Sequence, residues 1–130
     1  MIVDTSAIAA IVFREPRFDR LVDLLAASRT AGIGTPTVAE AGIVLSARLD
    51  LDAGPLLARF LHEFDITAVP FGSEHWREAV DAYRRFGKGR HPAALDFGDC
   101  LTYATAKLAA QPLLCTGRDF AKTDIPLADA

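Results

Sequence analysis

The amino-acid sequence predicts an α/β domain with three layers, α/β/α, around a mostly parallel sheet of four to five strands. Short apolar segments rich in strand-forming residues alternate with longer segments whose apolar residues recur at helical spacing. Parallel strands need crossover connections, and helices are the usual crossovers. A chain of 130 residues is expected to form a single domain, residues 1–130, that needs no disulfide or structural metal.

The first strand, residues 2–3, is expected at the centre of the sheet, because a strand near a terminus frays unless neighbours hold it. It ends at Asp4, and the hydroxyl residues that follow can start a short helix. A break containing proline leads to a second helix from about Arg17, which covers the sheet. The second strand, residues 31–36, is predicted to stop at its proline, with Thr37 capping the next helix.

The second half of the chain repeats this alternation. A helical hairpin follows the second strand, and a basic loop from Arg84 to Pro92 precedes the last helix. The other predicted elements are strand 66–69, a helix from Ser73, a helix from about Phe97 to Ala110, strand 113–116 and a short edge strand around Ile125.

Composition narrows the class of protein. Hydrophobic residues make up 51% of the chain, which excludes disorder, yet no apolar run approaches the roughly 18 residues of a membrane span. The first residues do not have the pattern of a signal peptide, so we expect a cytoplasmic protein without membrane association. Cys100 and Cys115 lack metal-ligand spacing and are predicted to be buried, reduced thiols. The net charge of −3 argues against a surface that is positive overall.

Acidic residues recur at one edge of the predicted sheet. Asp4 ends the first strand, Glu40 lies one turn into the helix after the second strand, Asp99 begins the helix before the fourth strand, and Asp119 follows that strand. Right-handed crossovers bring all strand carboxyl ends to the same edge, so acids far apart in sequence can share one cleft. Carboxylates without histidine or cysteine suit Mg²⁺ or Mn²⁺, which can activate water and neutralise a phosphodiester.

Three of these acids also have a structural explanation. Asp4 can cap the helix that follows it, Thr37 with Glu40 fits a capping box, and Asp96 with Asp99 fits a helix cap. Capping alone does not predict that the acids share one sheet edge. Both explanations therefore stand, and the shared edge favours a metal site.

Four segments together resemble the VapC toxins of the PIN-domain family, and the resemblance runs over the whole chain. The segments are MIVDTSA at residues 1–7, TVAE at 37–40, GKGRHPAALDFGDC at 87–100 and QPLLCTGRDF at 111–120. The resemblance implies a PIN-like fold and a Mg²⁺- or Mn²⁺-dependent endoribonuclease that is the toxin of a type II toxin-antitoxin pair. It also implies a homodimer, a complex with a VapB-type antitoxin and an RNA substrate. Asp4, Glu40 and Asp99 match the three core acids of the family.

The sequence departs from this family pattern at Arg118, where many relatives carry an acid. Asp119 and Asp96 are the candidates to supply the missing ligand, although we expect Asp96 to act mainly as a helix cap. Ser6 and Thr116 match positions that often line the site with hydroxyl groups.

A basic stretch precedes the last helix. Four cations lie within seven residues and are followed by a histidine: Arg84, Arg85, Lys88, Arg90 and His91. We expect contact with the RNA backbone, because the stretch runs directly into the helix that bears the third core acid. The alternative is a solvated helix end, where cations suit the dipole. His91 is expected to be structural or to contact phosphate rather than to act as a general base.

The resulting expectation is an enzyme that cuts single-stranded or looped RNA. The alternative is a PIN fold that binds RNA or a partner protein without cleaving, which Arg118 makes conceivable.

Overall fold

A computed structural model describes residues 1–129 and confirms the predicted α/β fold. Within that range the sheet has four strands: β1 Ile2–Val3, β2 Ala31–Gly34, β3 Ile66–Val69 and β4 Leu113–Leu114. Their order is β3-β2-β1-β4, and every pairing is parallel. The first strand therefore has a neighbour on each side, as predicted.

Helices cover both faces of the sheet. They are α1 Thr5–Val12, α2 Phe18–Ala27, α3 Thr35–Leu49, α4 Gly54–Glu63, α5 Ser73–Phe86 and α6 Phe97–Ala109. Val3 and Leu114 pack into one core with α1 to α4, whereas Ile2 and Leu113 pack into a second core with α5 and α6. Successive residues of a strand point to opposite faces. The two cores thus make the three predicted layers.

The start of α3 differs from the prediction. Strand β2 ends at Gly34 and the helix begins at Thr35, with Pro36 in its first turn. Proline is tolerated there because the first-turn amides have no partner within the helix. The predicted cap at Thr37 is wrong, since its hydroxyl oxygen lies 3.2 Å from that of Thr102 in the protein interior.

Three further elements differ from the prediction. The basic stretch is not wholly a loop, because Arg84 and Arg85 form the last turn of α5. Strand β4 is two residues long. The predicted fifth strand around Ile125 is not formed within residues 1–129, where a single parallel bridge joins Leu113 to Leu127. The residue before that bridge is a proline, which has no amide hydrogen to extend the ladder.

The structure bears on the predictions about membrane association and about the two cysteines. No helix in the part of the chain that the structure describes is both long and apolar enough to cross a membrane. Cys100 is buried and Cys115 is half-buried, and both are free thiols.

Candidate active site

Asp4 lies at the carboxyl end of β1 and is 6% exposed. Its Oδ2 accepts hydrogen bonds from the Ser6 amide at 3.1 Å and the Ser6 hydroxyl at 2.6 Å, so it caps α1. The Ser6 hydroxyl oxygen also accepts a bond from the Thr116 amide at 3.0 Å. Ser6 therefore ties Asp4 to the segment that leaves β4. Asp4 therefore lies at the predicted edge of the sheet, and it also forms the helix cap that was the alternative explanation.

Glu40 lies on α3 and is fixed by residues from two other helices. Its Oε1 accepts a hydrogen bond of 2.5 Å from the Thr5 hydroxyl at the start of α1. Its carboxylate packs against Gly98 of α6, where any added Cβ would clash with Oε2. The capping box with Thr37 is therefore wrong, because Glu40 turns toward α1 and α6 instead of toward its own helix start.

Asp99 lies in the first turn of α6, next to Gly98. Its Oδ2 accepts a hydrogen bond from the Asp96 amide at 3.1 Å, and the Asp99 amide donates to Asp96 Oδ1 at 2.9 Å. Asp96 thus caps α6, as predicted. Burial raises the pKa of Asp99 to about 7; the charges of Asp96 and Asp4 act in the same direction, and the backbone bond from Asp96 opposes them.

The negative charges of these acids also affect the two cysteine thiols. Burial raises the pKa of Cys115 to about 12, and the charges of Asp4 and Asp99 add to that shift. Burial likewise raises the pKa of Cys100 to about 11, with contributions from Asp99 and Asp96. Both cysteines are consequently protonated at neutral pH and are poor nucleophiles.

The donor set fits a hard divalent cation. Asp4 is buried and Glu40 and Asp99 are half-buried, and their carboxylate oxygens are the type of ligand that Mg²⁺ and Mn²⁺ prefer. Within residues 1–129, however, no three Asp, Glu, His or Cys side chains are arranged to hold one ion. Local bonds explain this, because Asp4, Glu40 and Asp99 each direct one oxygen to a protein donor. The structure therefore places these three acids near one another, but not in an arrangement that holds a single ion.

The other two ligand candidates, Asp119 and Asp96, are exposed. Asp119 is exposed, precedes the short 3-10 helix Phe120–Lys122 and makes no capping bond with its side chain. Arg118 is exposed beside it. Asp96 is exposed and already engaged as a cap. A role for Asp96 or Asp119 as a metal ligand stays a prediction.

The cations of the basic stretch fall into two groups. Arg84 pairs with Asp81 at 3.1 Å, and Arg85 pairs with Asp124 at 2.9 Å. Lys88 and Arg90 make no salt bridge with any acid of residues 1–129, and the Arg90 guanidinium lies 5.4 Å from the centroid of the Tyr83 ring. Lys88 and Arg90 are thus the cations most available to a polyanion.

The loop after α5 is closed at its base. The Lys88 amide donates to the Leu95 carbonyl at 2.9 Å, and the Leu95 amide donates to the Phe86 carbonyl at 3.0 Å. His91 Nδ1 accepts a bond from the Ala93 amide at 3.0 Å, and its ring meets Phe86 edge-on at 5.2 Å. The loop therefore stays beside the start of α6, and His91 has a structural role there.

Sequence reasoning missed Thr5 and Gly98, which hold Glu40 in place. Thr5 reads as a helix-starting residue, and its partner lies 35 positions away. Gly98 carried a weak signal, since glycine inside a helix lowers its stability and usually marks a close approach.

The sequence matches the family model described as PIN domain over residues 1–126. Ribonuclease VapC36 of Mycobacterium tuberculosis is 46% identical over 126 residues, which cover 96% of this chain and 91% of that protein. Ribonuclease VapC of Mycolicibacterium smegmatis is 38% identical over 125 residues, with 96% and 97% covered. These matches span nearly the whole length of each protein.

Solved structures show the same fold. The crystal structure of M. tuberculosis VapC20, a toxin that cleaves the sarcin-ricin loop, has a TM-score of 0.77 at 16% identity and covers 95% of each chain. A toxin-antitoxin complex from Klebsiella pneumoniae has a TM-score of 0.69 at 15% identity, with 95% of this chain and 92% of that chain covered. With the sequence matches, these likenesses identify the chain: it belongs to the PIN-domain family and, within it, to the VapC ribonucleases.

Proposed function

We propose that this protein is a Mg²⁺- or Mn²⁺-dependent endoribonuclease and the toxin of a type II toxin-antitoxin pair. The observation that supports this most directly is the gathering of Asp4, Glu40 and Asp99 from three different elements at the carboxyl edge of the sheet. Its relatives are named ribonucleases, which supports RNA as the proposed substrate. The proposal places the enzyme in the cytoplasm, where cellular RNA lies and where free thiols persist.

In this proposal Asp4, Glu40 and Asp99 hold the ion through carboxylate oxygens. When bound, Mg²⁺ or Mn²⁺ neutralises charge on a phosphodiester and lowers the pKa of a water molecule. Ser6 and Thr5 orient the carboxylates of Asp4 and Glu40 before substrate arrives, which reduces the reorganisation needed at the site. Asp96 and Asp119 remain the candidates for a further ligand, and Thr116 supports the site through its bond to Ser6.

The RNA backbone is proposed to follow the loop beside α6. Lys88 and Arg90 are the first candidates for phosphate contact because neither forms a salt bridge within residues 1–129. Arg84 contributes less, since Asp81 already neutralises it. His91 contributes only if its bond to the Ala93 amide leaves the other ring nitrogen free to donate to phosphate.

The proposed homodimer uses the Phe97 surface, an exposed apolar area on α3, α5 and α6. Phe97 and Ile43 are 80% and 70% exposed. Two apolar grooves of about 320 and 550 Å³ adjoin there, with Phe97 and Leu101 lining both. A protruding ring and a receiving groove on one face can pair with the same face of a second copy about a two-fold axis. The occupant we propose is therefore a second copy of this chain.

A VapB-type antitoxin is proposed to silence the site through a basic side chain. The negative pocket around Asp4 and Asp99 attracts a cation, and the planar fork of arginine can bridge two carboxylates. Such an arginine competes with metal for the same oxygens. A toxin-antitoxin complex whose acidic pocket stays open to solvent would contradict this mode of inhibition.

A non-cleaving PIN module that binds RNA or protein is the second candidate. It is favoured by the acids, which are not arranged to hold one ion within residues 1–129, and by Arg118, a cation next to the candidate ligand Asp119.

Cleavage of a labelled RNA by purified protein discriminates the two candidates. We expect cleavage with Mg²⁺ or Mn²⁺, none in a chelator, and none from Asp4→Asn. The matched control is Asp23→Asn, an exposed acid on α2, which is expected to retain activity. Wild-type protein that binds RNA but never cuts it with either ion would establish the non-cleaving module.

A further inference from the structure

We propose that Arg17 and Arg20 form a second phosphate-binding site for the RNA strand, and that the Asp129 side chain occupies this site in the free protein. The inference rests on the proposed function as a ribonuclease. It adds a binding site for a phosphate away from the scissile bond and a carboxylate that must leave before that phosphate can bind.

The contacts around Asp129 resemble those of a bound anion. Arg17 Nη2 lies 2.9 Å from Asp129 Oδ2, and Arg20 Nε lies 3.2 Å from Oδ1. Each carboxylate oxygen therefore has its own arginine, an arrangement that two phosphate oxygens can adopt equally well. The side chains of Arg17 and Arg20 are 74% and 52% exposed, against 23% for Asp129. The arginines are thus accessible to a strand in solution.

Strand register brings this site to the edge that bears Asp4. Val3 pairs with Leu114, and Leu113 pairs with Leu127, both in parallel. The segment after Leu127 therefore leaves the sheet at the same edge as Asp4. It lies two strand spacings from β1, about 10 Å. A single strand with one phosphate at the acids can reach that distance within a few nucleotides.

A cavity of about 230 Å³ lies beside Arg17 and also borders Thr116. Its lining includes Arg17 and Asp129 together with Cys115, Thr116 and Gly117. The Thr116 amide donates to Ser6, which holds Asp4. The space beside Arg17 therefore reaches Thr116, which supports the proposed active site through Ser6.

Charge also favours an anion here. Arg17 is the N-cap residue of α2, and Arg20 lies in its first turn. The start of a helix carries positive partial charge, so two cations there are unfavourable unless anions balance them. Asp19 supplies one negative charge in the first turn, and Asp129 supplies another across space. Exposed ion pairs of this kind contribute little to stability, so a phosphate can displace the carboxylate.

The test is binding of RNA by proteins that carry Asp4→Asn to prevent cleavage, measured over a series of salt concentrations. In that background we expect Asp129→Asn to tighten binding roughly two- to five-fold, because the competing carboxylate is absent. With Arg17→Gln and Arg20→Gln also present, Asp129→Asn is expected to have no effect. Replacing the two arginines should flatten the salt dependence by about 0.7 for each phosphate that the protein no longer binds.

The matched control is Glu63→Gln, which removes one negative charge from another exposed pair, Arg59 with Glu63 at 2.9 Å on α4. It is expected to leave RNA affinity nearly unchanged. Equal effects of Asp129→Asn and Glu63→Gln would overturn the inference alone, because general charge would then explain both. Failure of every variant to bind RNA would overturn the proposed function and this inference with it.

Discussion

At the scale of single residues, Asp99 combines a structural bond with an unfavourable charge. Its Oδ2 accepts the Asp96 amide, while burial and the charges of Asp96 and Asp4 raise its pKa to about 7. An aspartate in an unfolded chain has a pKa of about 3.9. The folded state therefore binds this proton more tightly than the unfolded state, and stability is lost as pH rises from about 4 through about 7.

We therefore expect Asp99→Asn to stabilise the metal-free protein while abolishing cleavage. Asparagine is neutral, and its oxygen can still accept the Asp96 amide. Chemical unfolding in a chelator should show a gain that grows between pH 5 and pH 8 and reaches roughly 1 to 3 kcal/mol. Asp119→Asn is the control, because that acid is exposed. The same gain from Asp99→Asn at both pH values would contradict the electrostatic explanation.

Thr5 offers a second test at this scale. Thr5→Val keeps the shape of the side chain but removes the hydroxyl that donates to Glu40 Oε1. We expect Mn²⁺ binding to weaken roughly ten-fold, as for other residues that orient a metal ligand. Thr5→Ser should restore binding, because it returns the hydroxyl. Calorimetric titration measures the affinity directly, and equal affinities for valine and threonine would show that Glu40 needs no positioning.

At the scale of elements, the sequence correctly predicted the features that follow from apolar periodicity and from the topology of a parallel sheet. Apolar spacing located the helices, and the parallel sheet placed Asp4 and Asp99 at one edge. Boundaries were less accurate where local signals compete, as at Pro36, which lies inside the first turn of α3. The bond between Thr5 and Glu40 could not be predicted, because it joins helices that meet only in the tertiary structure.

The loop between α5 and α6 provides a prediction for one element. Lys88→Ala with Arg90→Ala should weaken RNA binding for all sequences and flatten its salt dependence by about 0.7 for each phosphate that these side chains neutralise in the wild type. Arg84→Ala is the matched control and should have a smaller effect, because Asp81 already pairs with that arginine. The cleavage position should not move. An unchanged salt slope after replacement of Lys88 and Arg90 would mean that the RNA follows another surface.

At the scale of the whole molecule, the Phe97 surface is the feature that the sequence did not indicate. Its apolar residues come from three helices, so no single segment shows the patch. Phe97→Asp is expected to convert a dimer to a monomer, because it places a charge at the centre of the proposed interface. Light scattering coupled to size-exclusion chromatography measures the mass, and Leu56→Asp on α4 is a control with another exposed apolar residue. An unchanged mass together with failure to bind antitoxin would assign the surface to the antitoxin.

The central claim is that the acids at the sheet edge bind the divalent ion on which RNA cleavage depends. The most direct measurement is calorimetric titration of Mn²⁺ into metal-free protein, with RNA cleavage followed in the same samples. Wild-type protein and Asp23→Asn, which changes an exposed acid on α2, are expected to bind Mn²⁺ and cleave. Asp4→Asn, Glu40→Gln and Asp99→Asn should lose both together. An Asp4→Asn protein that binds Mn²⁺ and cleaves RNA like the wild type would contradict the claim.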